Sequence, residues 1–434
     1  MPVFHKSISK SLSGAPVQKV LIDLSSVRPL CRYRLLVCED FLKRDTICID
    51  SFAQDKFPQV RYAALSYVWH GLPATSDKEE TWITVEGANH ADPIGVKVLR
   101  HACKTAFDHG CTHLWMDRLC ILQTNREDKD WQIEHMFKVY ASCALCIVLA
   151  AGTQRLGALH EDTTWINRGW TLQEVVAPRR SRVFVLFSWC LGNGRAVTGA
   201  IQPYQANVQD VVPQESAIIP LTFLLRACAT GYMVFARRRT HLHDEPVTIR
   251  VSVFADKQRS DSPNGLNPNI CALALAIPPI AEFGIWQSAF MRSSSRPVDM
   301  VFSIMGLFGV RLKVSGFARD DRIGATKALV YSIMARGGRA SWLGISLYIH
   351  PSTRFSTFPE FPTTEVKSKA RLPTSSGWQE VDHVTVCEYP FSVYLENDMP
   401  KGHMDSDGYM HVSMRSIPIE RVARSGEGQN HFKS

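Results

Sequence analysis

No stretch of about 18 uncharged apolar residues occurs in the sequence, so no membrane-spanning helix is expected. The nearest approach, "ICALALAIPPIAEFGIW", is interrupted by Pro278, Pro279 and Glu282. The opening "MPVFHKSISKSLSGAPVQKV" lacks a continuous apolar core, so it does not read as a secretory signal, and a cytoplasmic location is expected. Phosphate-binding P-loops, helix-turn-helix or RNA-binding signatures and internal repeats are missing too, so any sensor is expected on a separate chain or in the unassigned C-terminal half. Cys143 and Cys146 form a C-x-x-C, but no second such pair supplies the other ligands of a zinc site, and no metal is expected. The 12 cysteines are scattered, mostly through apolar text, as reduced thiols of an intracellular protein would be.

What is present suits a soluble globular chain: 45% apolar residues, 21% charged and a formal net charge of +8 over 434 residues. The densest basic cluster, Arg237 to Arg239 with His241 and His243, reads as a solvated loop, and nucleic acid is not expected as a partner. Residues 31–50 alternate as two short strands around a polar turn. "YAALSYVWHG" and "TWITVEG" read as further strands. Over 92–110, Leu99, Ala102, Cys103, Ala106 and Phe107 follow a helical period, with Asp92 as N-cap and Gly110 as stop. "THLWMDRLCIL" reads as a strand, "QTNREDKD" leads into a helix carrying Ile133, Met136, Phe137 and Tyr140, and "ALCIVLAAG" is a strand buried on both faces.

Strands and helices alternating from 62 to 152 predict an α/β layer with a mainly parallel sheet, whose ligand crevice lies at the carboxyl ends of the strands. Residues 1–30 are an N-terminal flank, 31–180 the α/β domain, 181–270 an irregular insertion or linker, 271–350 a mostly helical region, and 351–434 a loop-rich cap with a disordered tail.

Three blocks in order, "YAALSYVWHG", "LWMDRLCILQTNREDKDWQIEHMFKVYASCALCIVLAAG" and "WINRGWTLQEVVAP", resemble the heterokaryon-incompatibility (HET) domain of filamentous fungi. The resemblance is strong over about residues 30–180; "RPVDMVFSIMGLFGV" further on is a weaker likeness to the C-terminal flanks of such proteins. Two positions depart from the family pattern: His70 separates Trp69 from Gly71, and Leu122 precedes Gln123 where aspartate is common. The resemblance implies a toxic effector of fungal non-self recognition and programmed cell death. It also implies a flavodoxin-like fold related to the Toll/interleukin-receptor (TIR) domain, with self-association and an unknown incompatibility partner.

Through that remote relation, Glu174 in "WTLQE" falls on the catalytic glutamate of NAD-cleaving TIR domains, with Thr171 where those carry cysteine. The implied reaction breaks the nicotinamide–ribose bond, with NAD as substrate and no cofactor. Nicotinamide leaves without a general acid, and a carboxylate steadies the ribose cation. Ser66, Tyr67 and Trp69 leave the first strand, Asp117 and Arg118 leave the next, and Arg168 and Trp170 precede Glu174, so all seven are candidate binding positions. Each has a plainer reading: Trp170, Tyr67 and Trp69 as core aromatics, Asp117 as a turn cap or partner of Arg118, and Glu174 as a surface residue paired with Arg168 or Arg179.

Overall fold

The protein is described by a computed structural model covering residues 2–8, 18–53, 57–75, 81–199, 203–237, 245–254, 268–277 and 282–344, with short segments beyond 360. Most of the basic cluster, the polar run before Asn269 and most of the C-terminal cap lie outside the described residues.

From the N-terminus come β1 (Pro2–Ser7), β2 (Gln18–Ile22) and β3 (Tyr33–Val37), then α1 (Cys38–Arg44) and β4 (Thr46–Phe52). The polar turn expected between β3 and β4 is a helix. Glu39 and Asp40 open it, Lys43 and Arg44 close it, and each acid meets its base one turn on, at 2.6 and 2.9 Å. Asp45, at φ 49°, ends it. Next are β5 (Tyr62–Tyr67), β6 (Thr81–Val85), β7 (Ile94–Gly95) and α2 (Val96–Asp108). Asp92 does not cap α2: Gly95 stands at that position, and the Asp92 carboxylate accepts the Gly71 N–H at 2.8 Å instead. Leu99, Ala102, Cys103 and Ala106 are buried as expected, but Phe107 is 46% exposed.

The strand expected over "THLWMDRLCIL" stops early, as β8 (His113–Trp115), and a single helical turn, α3 (Asp117–Cys120), follows. α4 (Arg126–Ser142) begins where the Asn125 side chain accepts the Asp128 N–H, and β9 (Leu145–Leu149) is buried along its whole length. α5 (Gly169–Val176) and β10 (Val183–Ser188) complete this half.

Within 181–270, read from the sequence as an irregular insertion or linker, the described residues carry regular structure instead. They form β11 (Gly194–Thr198), β12 (Tyr204–Val212), β13 (Ser216–Pro220), α6 (Leu221–Thr230), β14 (Tyr232–Arg237) and β15 (Val247–Arg250). Their alternation is short and half-exposed, as antiparallel strands with one wet face show. The helices α7 (Pro268–Ala276), α8 (Glu282–Phe290), α9 (Asp299–Met305) and α10 (Arg322–Ala335) follow.

Twelve strands make one sheet in the order β1-β4-β3-β8-β5-β9-β10-β13-β12-β11-β14-β15. Only its centre is parallel, with β8, β5, β9 and β10 running together; antiparallel strands extend it on both sides. The sheet is thus mixed rather than mainly parallel. A second sheet joins β2, β6 and β7. In chain order the central four strands stand 2-1-3-4. The chain leaves β5 toward one edge and returns past it to β9, so the direction of winding reverses between β5 and β9. Right-handed crossovers in opposite directions put α2 and α4 on opposite faces. α2 packs with α1, and α4 with α5. The helical region covers α5 through α8 and α9.

Candidate functional site

Loops leaving β5 and β9 meet at the reversal. Gly71 and Gly152 are what allow it: a Cβ on Gly71 would lie 2.0 Å from the Ala151 carbonyl oxygen, and Gly152 sits at φ +86°. Leu72 N–H then donates to Ala151 O at 2.8 Å, closing the two loops on each other. Such a reversal leaves a crevice outside the strand ends, where open α/β sheets take ligands.

Asp117, at the start of α3, collects the side chains expected there from β5. The Tyr67 hydroxyl donates to its Oδ1 and the Trp69 indole N–H to its Oδ2 at 2.7 Å. The turn-cap reading also holds, since the Arg118 backbone N–H donates to Asp117 Oδ1 at 2.7 Å. Arg118 is buried, with its guanidinium 5.1 Å from the Tyr67 ring centroid, and it donates to the Tyr67 hydroxyl at 3.1 Å, to Thr153 Oγ1 at 2.6 Å and to Asp92 O. It staples the loops after β5, β8 and β9 rather than standing open. Trp69 is half-buried beside the exposed His90, ring centroids 5.1 Å apart.

Glu174 is not a surface residue: it is 8% exposed. Ser66, at the end of β5, donates to its Oε2 at 2.5 Å and accepts the Trp165 indole N–H at 3.0 Å. Burial pushes the Glu174 carboxyl up to about 8. The Ser66 hydrogen bond opposes this, Asp117 adds to it, and Arg292 and Tyr140 lower it. Near neutral pH the group is therefore mostly protonated, and it titrates just above neutrality. A carboxyl so poised suits proton exchange or, once ionised, stabilisation of a cation.

Ser66 and Glu174 thus form one hydrogen-bonded pair and Tyr67, Trp69, Asp117 and Arg118 a second group, linked by the field of Asp117 at Glu174, while Arg168 and Trp170 turn toward the helical region. The Trp170 indole N–H donates to Asp299 Oδ2 at 3.2 Å. Arg168 lies in the field of both Asp299 and Glu174. Sequence reasoning missed Arg292, fully buried just beyond α8. It donates to Arg168 O at 2.9 Å and Thr171 Oγ1 at 2.7 Å, and burial draws it down to about 9, against the favourable field of Glu174. Tyr140 and Thr153 were missed for the same reason, since each acts on the site from a distant element and no local pattern marks it; Trp165 stands inside the third motif block but was given no role there.

The two departures from the family pattern land differently. His70 faces Asp92, Nδ1 to Oδ1 at 3.3 Å, whereas Leu122 is buried and offers only its backbone N–H, to Asp128 Oδ2 at 3.0 Å. A serine–histidine–carboxylate grouping also occurs, with His101 Nδ1 2.6 Å from Ser216 Oγ and Nε2 3.5 Å from Glu215, but Ser216 is fully buried and cannot meet a substrate. Cys120 and Cys143 are buried thiols pushed up to about 12, and so are poor nucleophiles. Among the described residues no group of three His, Cys, Asp or Glu is placed to hold a metal, and no helix is long and apolar enough to cross a membrane.

Residues 62–161 match the family described as heterokaryon incompatibility protein (HET). Over 133 residues the chain is 26% identical to vegetative incompatibility protein HET-E-1 of Podospora anserina, covering 28% of this chain and 10% of that relative. No solved structure matches.

Proposed function

From a chain that carries a heterokaryon-incompatibility (HET) domain over residues 62–161, we propose an effector of fungal non-self recognition that acts in the cytoplasm by hydrolysing NAD at the nicotinamide–ribose bond. The observation that carries this is Glu174, buried at the reversal point of the sheet and joined to the end of β5 by Ser66. The 2-1-3-4 order of the parallel strands is that of flavodoxin-like sheets, whose ligand sits where the winding reverses. It is the arrangement a TIR-like relation calls for.

In this mechanism Glu174 gives up its proton to solvent as the positively charged nicotinamide ring approaches, since an opposite charge favours the ionised form. As the bond to nicotinamide breaks and its electron pair leaves with the ring nitrogen, the carboxylate faces the positive charge spreading over the ribose; a water then bonds the sugar carbon and passes its proton to the Glu174 carboxylate. Ser66 holds one carboxylate oxygen in place, and Asp117, fixed by Tyr67 and Trp69, lends further negative potential. One preorganised charge in such a site contributes roughly 3 kcal/mol to the barrier.

The experiment is nicotinamide release from NAD by purified protein, at low concentration and clustered, alongside Glu174→Gln. Wild type is expected to turn over, with kcat/KM rising through about pH 8, the value at which Glu174 ionises in the free protein. Glu174→Gln is expected to lose about a hundredfold or more. Equal background rates for both proteins overturn the proposal.

A second reading rests on the same burial. With only 8% of Glu174 exposed and Ser66 already bonded to it, the acid also suits a structural role in a non-catalytic TIR-like module that self-associates and recruits an incompatibility partner. Killing on overexpression by both wild type and Glu174→Gln, without NAD turnover, selects that reading.

A further inference from the structure

The loop leaving β5 carries an aromatic ring pinned from three sides. The Trp69 indole N–H donates to Asp117 Oδ2 at 2.7 Å. The Trp69 carbonyl accepts the Asp92 N–H at 2.9 Å, and the Asp92 carboxylate accepts the Gly71 N–H at 2.8 Å, so the backbone around the ring is held as well. Asp92 Oδ1 also faces His70 Nδ1 at 3.3 Å. Two successive heterocycles, Trp69 and His70, thus each rest on a carboxylate from another loop, and both stay partly exposed. A side chain locked in place before its ligand arrives loses little freedom on binding.

The partner of the indole decides what it attracts. The face of an aromatic ring is negative and draws cations, and among side chains Trp does so most strongly. A carboxylate that accepts the indole N–H polarises the ring further in that direction. The guanidinium bonded into this group, that of Arg118, lies against the Tyr67 ring and donates to the Tyr67 hydroxyl, Thr153 Oγ1 and Asp92 O.

A nitrogen heterocycle already sits on Trp69. His90, on the turn between β6 and β7, has its ring centroid 5.1 Å from that of Trp69, with the planes tilted by 43°. Rings in contact lie about 3.5 Å apart, so a third ring needs about 7 Å between its neighbours and does not fit between these two. His90 is exposed, and exposed side chains change rotamer within nanoseconds. Once it swings outward, its place is open to the ring of a ligand.

We propose that Trp69, backed by Asp117, is the seat of a cationic aromatic ring, which displaces His90 on entry. That this ring is the pyridinium of NAD rests on the NAD-cleaving reading; the preference for a cationic ring does not. Ser66, the partner of Glu174, precedes Trp69 by three residues, about 10 Å of extended chain. A pyridinium on Trp69 therefore brings its ribose into the neighbourhood of the acid.

The test is titration of the full chain with N-methylnicotinamidium and with nicotinamide, a cationic and a neutral ring of nearly the same shape. The readout is the Trp69 indole N–H resonance, which Trp69→Leu assigns by removing it. Wild type is expected to bind the cation roughly fivefold to tenfold tighter than the neutral ring. His90→Ala, at an exposed position, is expected to tighten N-methylnicotinamidium about threefold, because no imidazole competes for the indole face. A damaged fold does not produce such a gain. Equal affinities for the two rings in wild type overturn the proposal, as does an affinity for the cation that His90→Ala leaves unchanged or weakens. Tetramethylammonium bound as tightly as N-methylnicotinamidium also overturns it. Preference for the cationic ring with no nicotinamide release from NAD removes the NAD-cleaving reading and leaves this site standing. Nicotinamide release with the same KM in Trp69→Leu and wild type overturns the proposal and leaves that reading standing.

Discussion

A single carboxyl dominates the chemistry at the scale of residues. Glu174 has a folded-state pKa of about 8 against an ordinary 4.5, and burial is the main cause. The native state therefore holds a proton that the unfolded chain releases. Its contribution to stability is present below pH 4.5 and is lost as pH rises toward 8. Glu174→Gln keeps the shape without the ionisation, so it is expected to flatten this slope and to be the more stable protein at pH 8, by on the order of a few kcal/mol. Chemical denaturation of both proteins at pH 5 and pH 8 measures it; parallel slopes would show that the carboxyl stays charged. The sequence placed Glu174 on a short helix after a central strand, and the structure agrees. Its burial could not be read there, because Ser66, Tyr140 and Arg292 reach it from elements 108, 34 and 118 positions away.

Between elements, the joints are polar and buried. Asp128 is the clearest case: within "QTNREDKD" it reads as one more surface acid, yet it is fully buried in a fork with Arg34, at 2.9 and 2.7 Å. It also accepts the backbone N–H groups of Cys31 and Leu122 at 2.8 and 3.0 Å, tying β3, the loop after α3 and the start of α4 together. Asp128→Ala would strand a buried guanidinium and two backbone donors, a loss of about 3–5 kcal/mol. Thermal unfolding of the variant tests this, and a loss below about 1 kcal/mol, as for a surface pair, would refute it. Local text explains α1 and α2 well, through charge order and apolar period. It failed at α3, where one helical turn inside an apolar run has no period of its own.

Taken whole, the molecule does not divide at residue 180, the end of the α/β domain as read from the sequence. β10 pairs with β13, extending the sheet into the segment beyond, and α8 and α9 cover α5. Arg292, Ser293 and Asp299 satisfy the loop and first turn that carry Glu174. A chain cut after residue 190 would expose the apolar edge of α5 and leave those groups unpaired. It is expected to lose the single cooperative thermal transition of the full chain. An excised segment that melts sharply, at the temperature of the intact protein, would show that the two parts are independent.

The amino-acid sequence alone determined the alternation of strands and helices from 62 to 152, the buried parallel centre and the position of the acid, because periodicity and apolar runs are local signals. It also carried the HET motifs that the family match covers. Tertiary structure alone decided the antiparallel extension of the sheet, the burial that raises the pKa of Glu174 and the packing of the segment after α8 against the start of α5. Strand pairing, desolvation and the sum of charges all depend on which distant residues fold against one another, and no window of neighbouring residues records that.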